Sequence, residues 1–318
     1  MTDAAFSHDP VMKDEIVDTF RSVPSGVIVD ATLGGGGHSE AILDARHDVS
    51  ILGLDRDADA LNAATSRLDR FGDRLMTHRC RFDDLDQAMA AHSIEQLSGA
   101  LFDLGVSSPQ LDRAERGFSY RNDGPLDMRM DGEAPWSADD VVNGYAEHQL
   151  AHIIRRYGDE RFASRIAKAI VAARPIESTT RLAEIITSAI PAPARRTGGH
   201  PAKRTFQAIR IEVNGELDAL PEAIDKAIDA LVPGGRLAVL AYHSGEDRIV
   251  KDRIRRAETG GCECPPELPC VCGAVQTVRI VRGVAKRPTK DESERNRRAA
   301  SARFRVAEKI EPTEMRQR

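Results

Sequence analysis

Five short aliphatic and β-branched runs, Val27–Asp30, Ser50–Asp55, Leu75–Phe82, Gly99–Val106 and Arg236–Tyr242, stand out against the otherwise polar chain. Each has the length of a buried strand and is bounded by glycine, proline or charge. The first four are separated by helix-compatible segments, an alternation that predicts a parallel sheet packed between helices, an α/β fold. After the fourth run the pattern changes. Apolar positions recur at helical spacing between about Leu111 and Thr205, predicting helices over 138–157, 160–173 and 180–190. A helical run over 206–231 and a turn at Pro233-Gly-Gly then lead into the last strand. The expected organisation is a discontinuous Rossmann-like core, residues 1–111 and 206–318, and an inserted helical domain, residues 112–205. Ligands of open α/β sheets bind beyond the strand carboxyl ends, so an insert at this place is expected to roof the site.

The first strand runs into Asp30-Ala-Thr-Leu-Gly-Gly-Gly-Gly-His-Ser39. Glycines let a backbone turn sharply and approach a ligand closely, and the helix start that follows offers amide donors. Asp55 ends the second strand about 20 residues later, where a Rossmann-type site binds ribose hydroxyls. The Gly-x-Gly-x-x-Gly spacing of dinucleotide enzymes fails, because position 39 is Ser. Asp30 adds a carboxylate beside the turn, which suits a cationic sulfonium and an α-amino group better than a pyrophosphate. The chemistry leans toward methyl transfer from S-adenosylmethionine. The fourth strand opens into Asp103-Leu-Gly-Val-Ser-Ser-Pro-Gln110. An exocyclic amine of a base is a weak nucleophile that must be aligned and have its proton accepted, and Asp103 is the candidate acceptor. The same loop also reads as simple turn chemistry, with Asp103 as a cap.

Composition is that of an ordinary folded enzyme, with 41% hydrophobic and 30% charged residues in 318. No run suits a membrane span or a secretory leader, so the expected address is cytoplasmic. Four of the five cysteines lie in Cys262-Glu-Cys264 and Cys270-Val-Cys272. Their Cys-x-Cys spacing departs from the usual zinc pattern, and methyl transfer needs no metal, so free thiols and no metal are expected. The formal net charge is −5, yet residues 279–318 carry 13 Lys or Arg against 6 Asp or Glu. That tail reads equally as a polyanion contact or as a solvated helix over 291–298.

Together these segments resemble the MraW (RsmH) family of 16S ribosomal RNA cytosine N(4)-methyltransferases, nearly end to end. The resemblance is carried by His8–Met12, Asp30–Ser39, Asp103–Gln110, Arg116–Asp131, Tyr157–Phe162, His200–Asn214 and His243–Lys251. It implies methylation, by S-adenosylmethionine, of a decoding-centre (P-site) cytidine in 16S rRNA of the small subunit, with no membrane and no obligate protein partner. Residue roles follow by position: Gly36, Gly37 and His38 at the methionine end, Asp55 at the ribose and Phe82 near adenine, with Asp103 and Gln110 at the cofactor or target amine. His8, Lys203, Arg204 and His243 are the candidates on the substrate side, with His200 and Arg210 nearby. Phe118, Tyr120 or Tyr242 could stack on an extruded base. Tyr242 and Gly245 depart from the Phe and Leu expected around the His-Ser motif, and the loop after Asp103 lacks the double proline and aromatic of related amino-methyltransferases. A nicotinamide-dependent oxidoreductase, a non-catalytic RNA-binding factor and a DNA methyltransferase are the competing readings.

Overall fold

The computed structural model describes residues 10–196, 199–265, 271–296 and 299–314. Two compact units divide the chain, one made of Met1–Gly105 with Leu217–Arg318 and the other of Val106–Glu216.

The first unit is built on a seven-stranded sheet. In chain order its elements are α1 (Lys13–Phe20), β1 (Gly26–Asp30), α2 (Gly37–Ala45), β2 (Val49–Asp55), α3 (Ala58–Leu68), β3 (Leu75–Arg79), α4 (Leu85–Ala91) and β4 (Leu97–Asp103). After the five helices α5 (Ser108–Asp112), α6 (Glu147–Gly158), α7 (Ala163–Ala172), α8 (Thr179–Ala189) and α9 (Lys203–Asn214) come α10 (Glu216–Ala230), β5 (Leu231–Ala241), α11 (Ser244–Thr259), β6 (Val275–Ile280), α12 (Lys290–Arg295) and β7 (Arg303–Glu314). The strand order is β3-β2-β1-β4-β5-β7-β6. The first five strands pair in parallel, in the doubly wound order that reverses between β1 and β4, while β7 runs antiparallel to both β5 and β6.

Alternate strand residues supply two cores, as the period of two demands. Leu52, Leu54, Phe102, Leu237 and Val239 face Leu85 and Met89 of α4, Leu220 and Ile224 of α10, and Val250 and Ile254 of α11. Ile28, Ile51, Leu101, Ala238 and Leu240 face Ile16 and Phe20 of α1 and Ile42 and Leu43 of α2. Gly99 is small for a packing reason: a Cβ there would fall 2.6 Å from the Phe20 ring, which is fully buried against the strand.

The second unit contains α5 (Ser108–Asp112), α6 (Glu147–Gly158), α7 (Ala163–Ala172), α8 (Thr179–Ala189) and α9 (Lys203–Asn214). Its long irregular stretch before α6 is fastened by the buried amide of Asn214, which accepts from the Met130 amide (2.8 Å) and donates to the Met128 carbonyl (2.7 Å).

Three features depart from the sequence reading. The helical run over 206–231 is two helices, because Gly215 takes a left-handed conformation (φ 61°) and ends α9, which packs on α6. The Pro233-Gly-Gly turn lies inside β5 as an irregularity between the Leu97–Leu231 and Gly99–Arg236 pairings. The basic tail holds the exposed helix α12 where a solvated helix is one of the two readings, but it also forms the strand β7, and its cations are partly spent internally: Arg305 pairs with Asp247 (2.6 Å), Arg279 with Glu308 (2.5 Å), and Lys309 donates to the Ile228 carbonyl (2.8 Å).

Phe20→Ala should cost about 3–5 kcal/mol, because no neighbour can fill the space over Gly99. Urea unfolding measures this, and a loss below about 1 kcal/mol would mean that α1 does not belong to the cooperative core.

Candidate active site

The site in the first unit forms where β1 lies between β2 and β4. Asp30 pairs with Gly53 of β2 and with Leu101 of β4. Asp55 and Asp103 each follow their Asp30-paired residue by two, so both carboxylates extend about 7 Å past Asp30 at the carboxyl edge, one on each side. The glycine turn emerges between them and is tied to all three strands. Asp30 accepts from the Ser39 hydroxyl (2.7 Å) and the Thr32 amide (3.3 Å). Asp55 accepts from the Gly34 amide (2.9 Å), and the Asp103 amide donates to the Thr32 hydroxyl (2.6 Å). Leu33 lies on Gly53, where a Cβ would come within 2.6 Å of its side chain.

Gly36, in the left-handed region at φ 74°, starts α2. Gly37 is approached closely by Pro10, at 2.7 Å from where a Cβ would be. His38 is 7% exposed, with Nε2 on the Val11 carbonyl (2.9 Å). That contact makes Nε2 the donor and turns Nδ1 toward Asp103 Oδ2, 3.6 Å away. The chain around Val11 is also held from the C-terminal side, since the Met12 amide donates to Glu292 of α12 (2.7 Å).

Burial pushes the Asp30 carboxyl above the ordinary carboxylate range, with the Ser39 hydroxyl opposing and the nearby Asp103 charge adding. Burial also pushes Asp55 up to about 6, against the opposing bonds from the Asp57 and Gly34 amides. Phe82, half-buried just beyond β3, stands edge-on to Phe102 at 6.1 Å between centroids. The neighbouring Cys80 thiol is pushed up to about 12 by burial and by adjacent carboxylates, which disfavours its thiolate form.

Tyr242 has a role the sequence did not indicate. Its hydroxyl donates to Asp103 Oδ1 at 2.6 Å, and burial together with the Asp103 charge raises its own pKa well above the ordinary phenol value. His243 is spent on the start of α11: Nδ1 accepts from the Gly245 (3.2 Å) and Glu246 (3.4 Å) amides. Glu246 returns the bond by accepting from the amides of Tyr242 and His243. The structure thus brings Gly36, Gly37, His38, Asp55, Phe82 and Asp103 to one sheet edge and uses His243 as a cap. His8 lies outside the described residues.

In the second unit Gln110 is buried, and its side-chain oxygen accepts from the Ser107 amide (3.0 Å), closing the capping box of α5. Phe118 is buried as well, but Tyr120 is half-buried and stacks on the exposed His200 ring at 4.4 Å, with Phe206 edge-on at 5.8 Å. Lys203 and Arg204 are exposed on the first turn of α9, and Arg204 also donates to the Asp159 carbonyl (2.9 Å). Arg210 is taken by Glu216 (2.8 Å). Elsewhere in the first unit the sulfur atoms of Cys262, Cys264 and Cys272 lie within 4.8 Å of one another, and Cys270 is outside the described residues. No helix among the described residues is long and apolar enough to cross a membrane.

A doubly wound sheet with acids and a glycine turn along one carboxyl edge defines a Rossmann-like enzyme of nucleoside-type cofactors. Residues 5–310 match the MraW methylase family, and the chain belongs to that family and is a methyltransferase. It is 51% identical over 316 residues to the ribosomal RNA small subunit methyltransferase H of Mycobacterium sp. (strain KMS), covering 96% of this chain and 85% of that one. It is 50% identical to the protein of the same name from Carboxydothermus hydrogenoformans, covering 96% and 98%. Among solved structures, an rRNA methylase from Streptococcus thermophilus aligns over 94% of each chain with 13% identity and a TM-score of 0.41.

Hydroxyl donors favour the ionised form of Asp55, so S-adenosylhomocysteine should bind several-fold more weakly at pH 5 than at pH 7, as protonation sets in below about 6. Calorimetric titration of wild type and Asp55→Asn checks this, and the variant should bind weakly with little pH dependence. Tyr242→Phe removes a donor from Asp103 and so favours its protonated form. It should move the acidic limb of the pH–rate profile upward while lowering kcat less than about tenfold; an unmoved limb would separate the hydroxyl from the chemistry.

Proposed function

We propose that the protein transfers a methyl group from S-adenosylmethionine to the 4-amino group of a decoding-centre (P-site) cytidine in the 16S rRNA of the small ribosomal subunit. The observation that carries this reading is the Asp103 carboxylate, held at the carboxyl end of β4 beside the strand-order reversal by Tyr242 and faced by His38. The names of the relatives support ribosomal RNA of the small subunit as the substrate class.

The residues present fit the cofactor. Asp55 is pushed up to about 6 because burial outweighs its two amide donors, so ribose hydroxyls would complete its set. Carboxylates of Asp30 and Asp103 suit a sulfonium and an α-amino group, where a pyrophosphate would be repelled. Gly36, Gly37 and His38 would hold the methionine end, Asp55 the ribose and Phe82 the adenine. When bound, S-adenosylmethionine supplies an electrophilic methyl group. Asp103 orients the cytosine amine by accepting a hydrogen bond from one of its N–H groups, and the proton displaced by the new N–C bond leaves through that bond. Gln110 keeps the turn after Asp103 in shape. Lys203 and Arg204 contact phosphates, with His200 and Tyr120 as a neighbouring aromatic pair. His8 and His243 stay sequence-based candidates for the substrate side, the cap of α11 using only Nδ1 of His243.

Labelled methyl transfer to small subunits from a strain lacking the protein, followed by nucleoside mass spectrometry, should yield N(4)-methylcytidine. Asp103→Ala should lower the rate by about 10²-fold or more. Undiminished activity in that variant would overturn the role of Asp103 alone. No transfer to subunits, naked 16S rRNA or DNA, despite cofactor binding, would overturn the function.

A further inference from the structure

The segment between the end of α11 and the start of β6 contains none of the candidate site residues named above, yet it holds four of the five cysteines of the chain. Three of them, Cys262, Cys264 and Cys272, have their sulfur atoms within 4.8 Å of one another, although Cys272 is eight residues beyond Cys264. The backbone is shaped to bring them together. Helix α11 ends at Gly260, in the left-handed region at φ 60°, where a Cβ would lie 2.4 Å from the amide nitrogen of Val275, the first residue of β6. The two ends of the cysteine loop therefore touch at its base. The amides of Gly261 and Cys262 then bond back to the Arg256 (2.9 Å) and Thr259 (3.0 Å) carbonyls, which fixes the first cysteine relative to the helix.

Three sulfur atoms converging to within 4.8 Å from both ends of a loop form a donor set that a single soft cation can bridge. A tetrahedral zinc ion binds sulfur at about 2.3 Å, which sets its ligands about 3.8 Å apart, a spacing this cluster can reach without moving its backbone far. Soft sulfur ligands select zinc over magnesium or calcium. The Cys-x-Cys spacing, which weighed against a metal in the sequence, loses its force once the third sulfur arrives from across the loop.

We propose that Cys262, Cys264 and Cys272 are ligands of one structural zinc ion, which staples the end of α11 to the edge strand β6. Binding releases the thiol protons, and the ion stays divalent throughout. Among the described residues β6 pairs in the sheet with β7 alone and its Val278 is fully buried in the core, so a clasp at its start ties an edge strand to the helix packed on it.

The full chain, purified reduced from zinc-supplemented medium, should carry about one zinc by inductively coupled plasma mass spectrometry. Cys262→Ser, Cys264→Ser and Cys272→Ser combined should reduce that to less than about a tenth. Because the triple variant could fail to fold, wild type is also stripped with a chelator. Its unfolding midpoint should fall and then recover with zinc, and cobalt(II) should give sulfur-to-metal charge-transfer absorption with the intense visible bands of a tetrahedral site. Methyl transfer should survive stripping. Cys270→Ser should retain metal; complete loss there, with retention in Cys264→Ser, would place the ion on other residues and overturn the assignment. A metal-free wild type that shows no cobalt spectrum, or one holding iron and sulfide, also overturns it.

Discussion

The central place of β1, paired in parallel with β2 on one side and β4 on the other, is the constraint on which the site depends. The register sets Asp55 and Asp103 at the same height on either side of the glycine turn, and the turn is bonded to the ends of all three strands. A slip of one residue in either pairing would turn that strand's core side chains to the opposite face, so the two hydrophobic layers enforce the register. Leu33 on Gly53 and Phe20 on Gly99 are two points where that enforcement is visible: each large side chain fits only because the strand residue beneath it has none. Core packing and the geometry of the acids are thus one arrangement.

Electrostatics gives that arrangement a preference among ligands. Asp30 and Asp55 are both raised by burial, and each raises or is raised by another acid at the same edge. An edge with this character gains from ligands that bring positive charge and hydroxyl donors, and loses from those that bring phosphate. The failure of the dinucleotide glycine spacing at Ser39 points the same way. Ser39 itself is fully buried and spends its hydroxyl on Asp30, so the residue that breaks the motif helps to hold the acid that replaces the pyrophosphate site.

What the sequence disclosed follows from what is local in it. The parallel strands, the glycine turn, the acids that end strands and the interruption by helices all show as short-range pattern, and all appear in the fold. The antiparallel pair β6 and β7 was hidden because its pairing is long-range and its cations, Arg279 and Arg305 among them, look like solvated charge until their partners Glu308 and Asp247 are brought beside them. The break at Gly215 was hidden inside a continuous apolar period. His243 was chosen as a substrate residue from its motif, and its motif did not disclose that Nδ1 also caps α11 through the amides of Gly245 and Glu246.

Tyr242 shows how a departure from a family pattern acquires meaning only in three dimensions. In the chain it stands where Phe is expected, 139 residues from Asp103. In the sheet, β5 lies next to β4 with Asp103 paired to Leu240, so the residue just beyond β5 reaches the carboxylate. A Phe there would offer only its ring. Tyr242 adds a buried donor, which fixes the rotation of the carboxylate and favours its ionised form. In the reaction proposed above, the acceptor for the amine proton has to be ionised and correctly turned before the substrate arrives. The phenol, whose own ionisation is suppressed by burial and by that same carboxylate, stays protonated and so remains a donor.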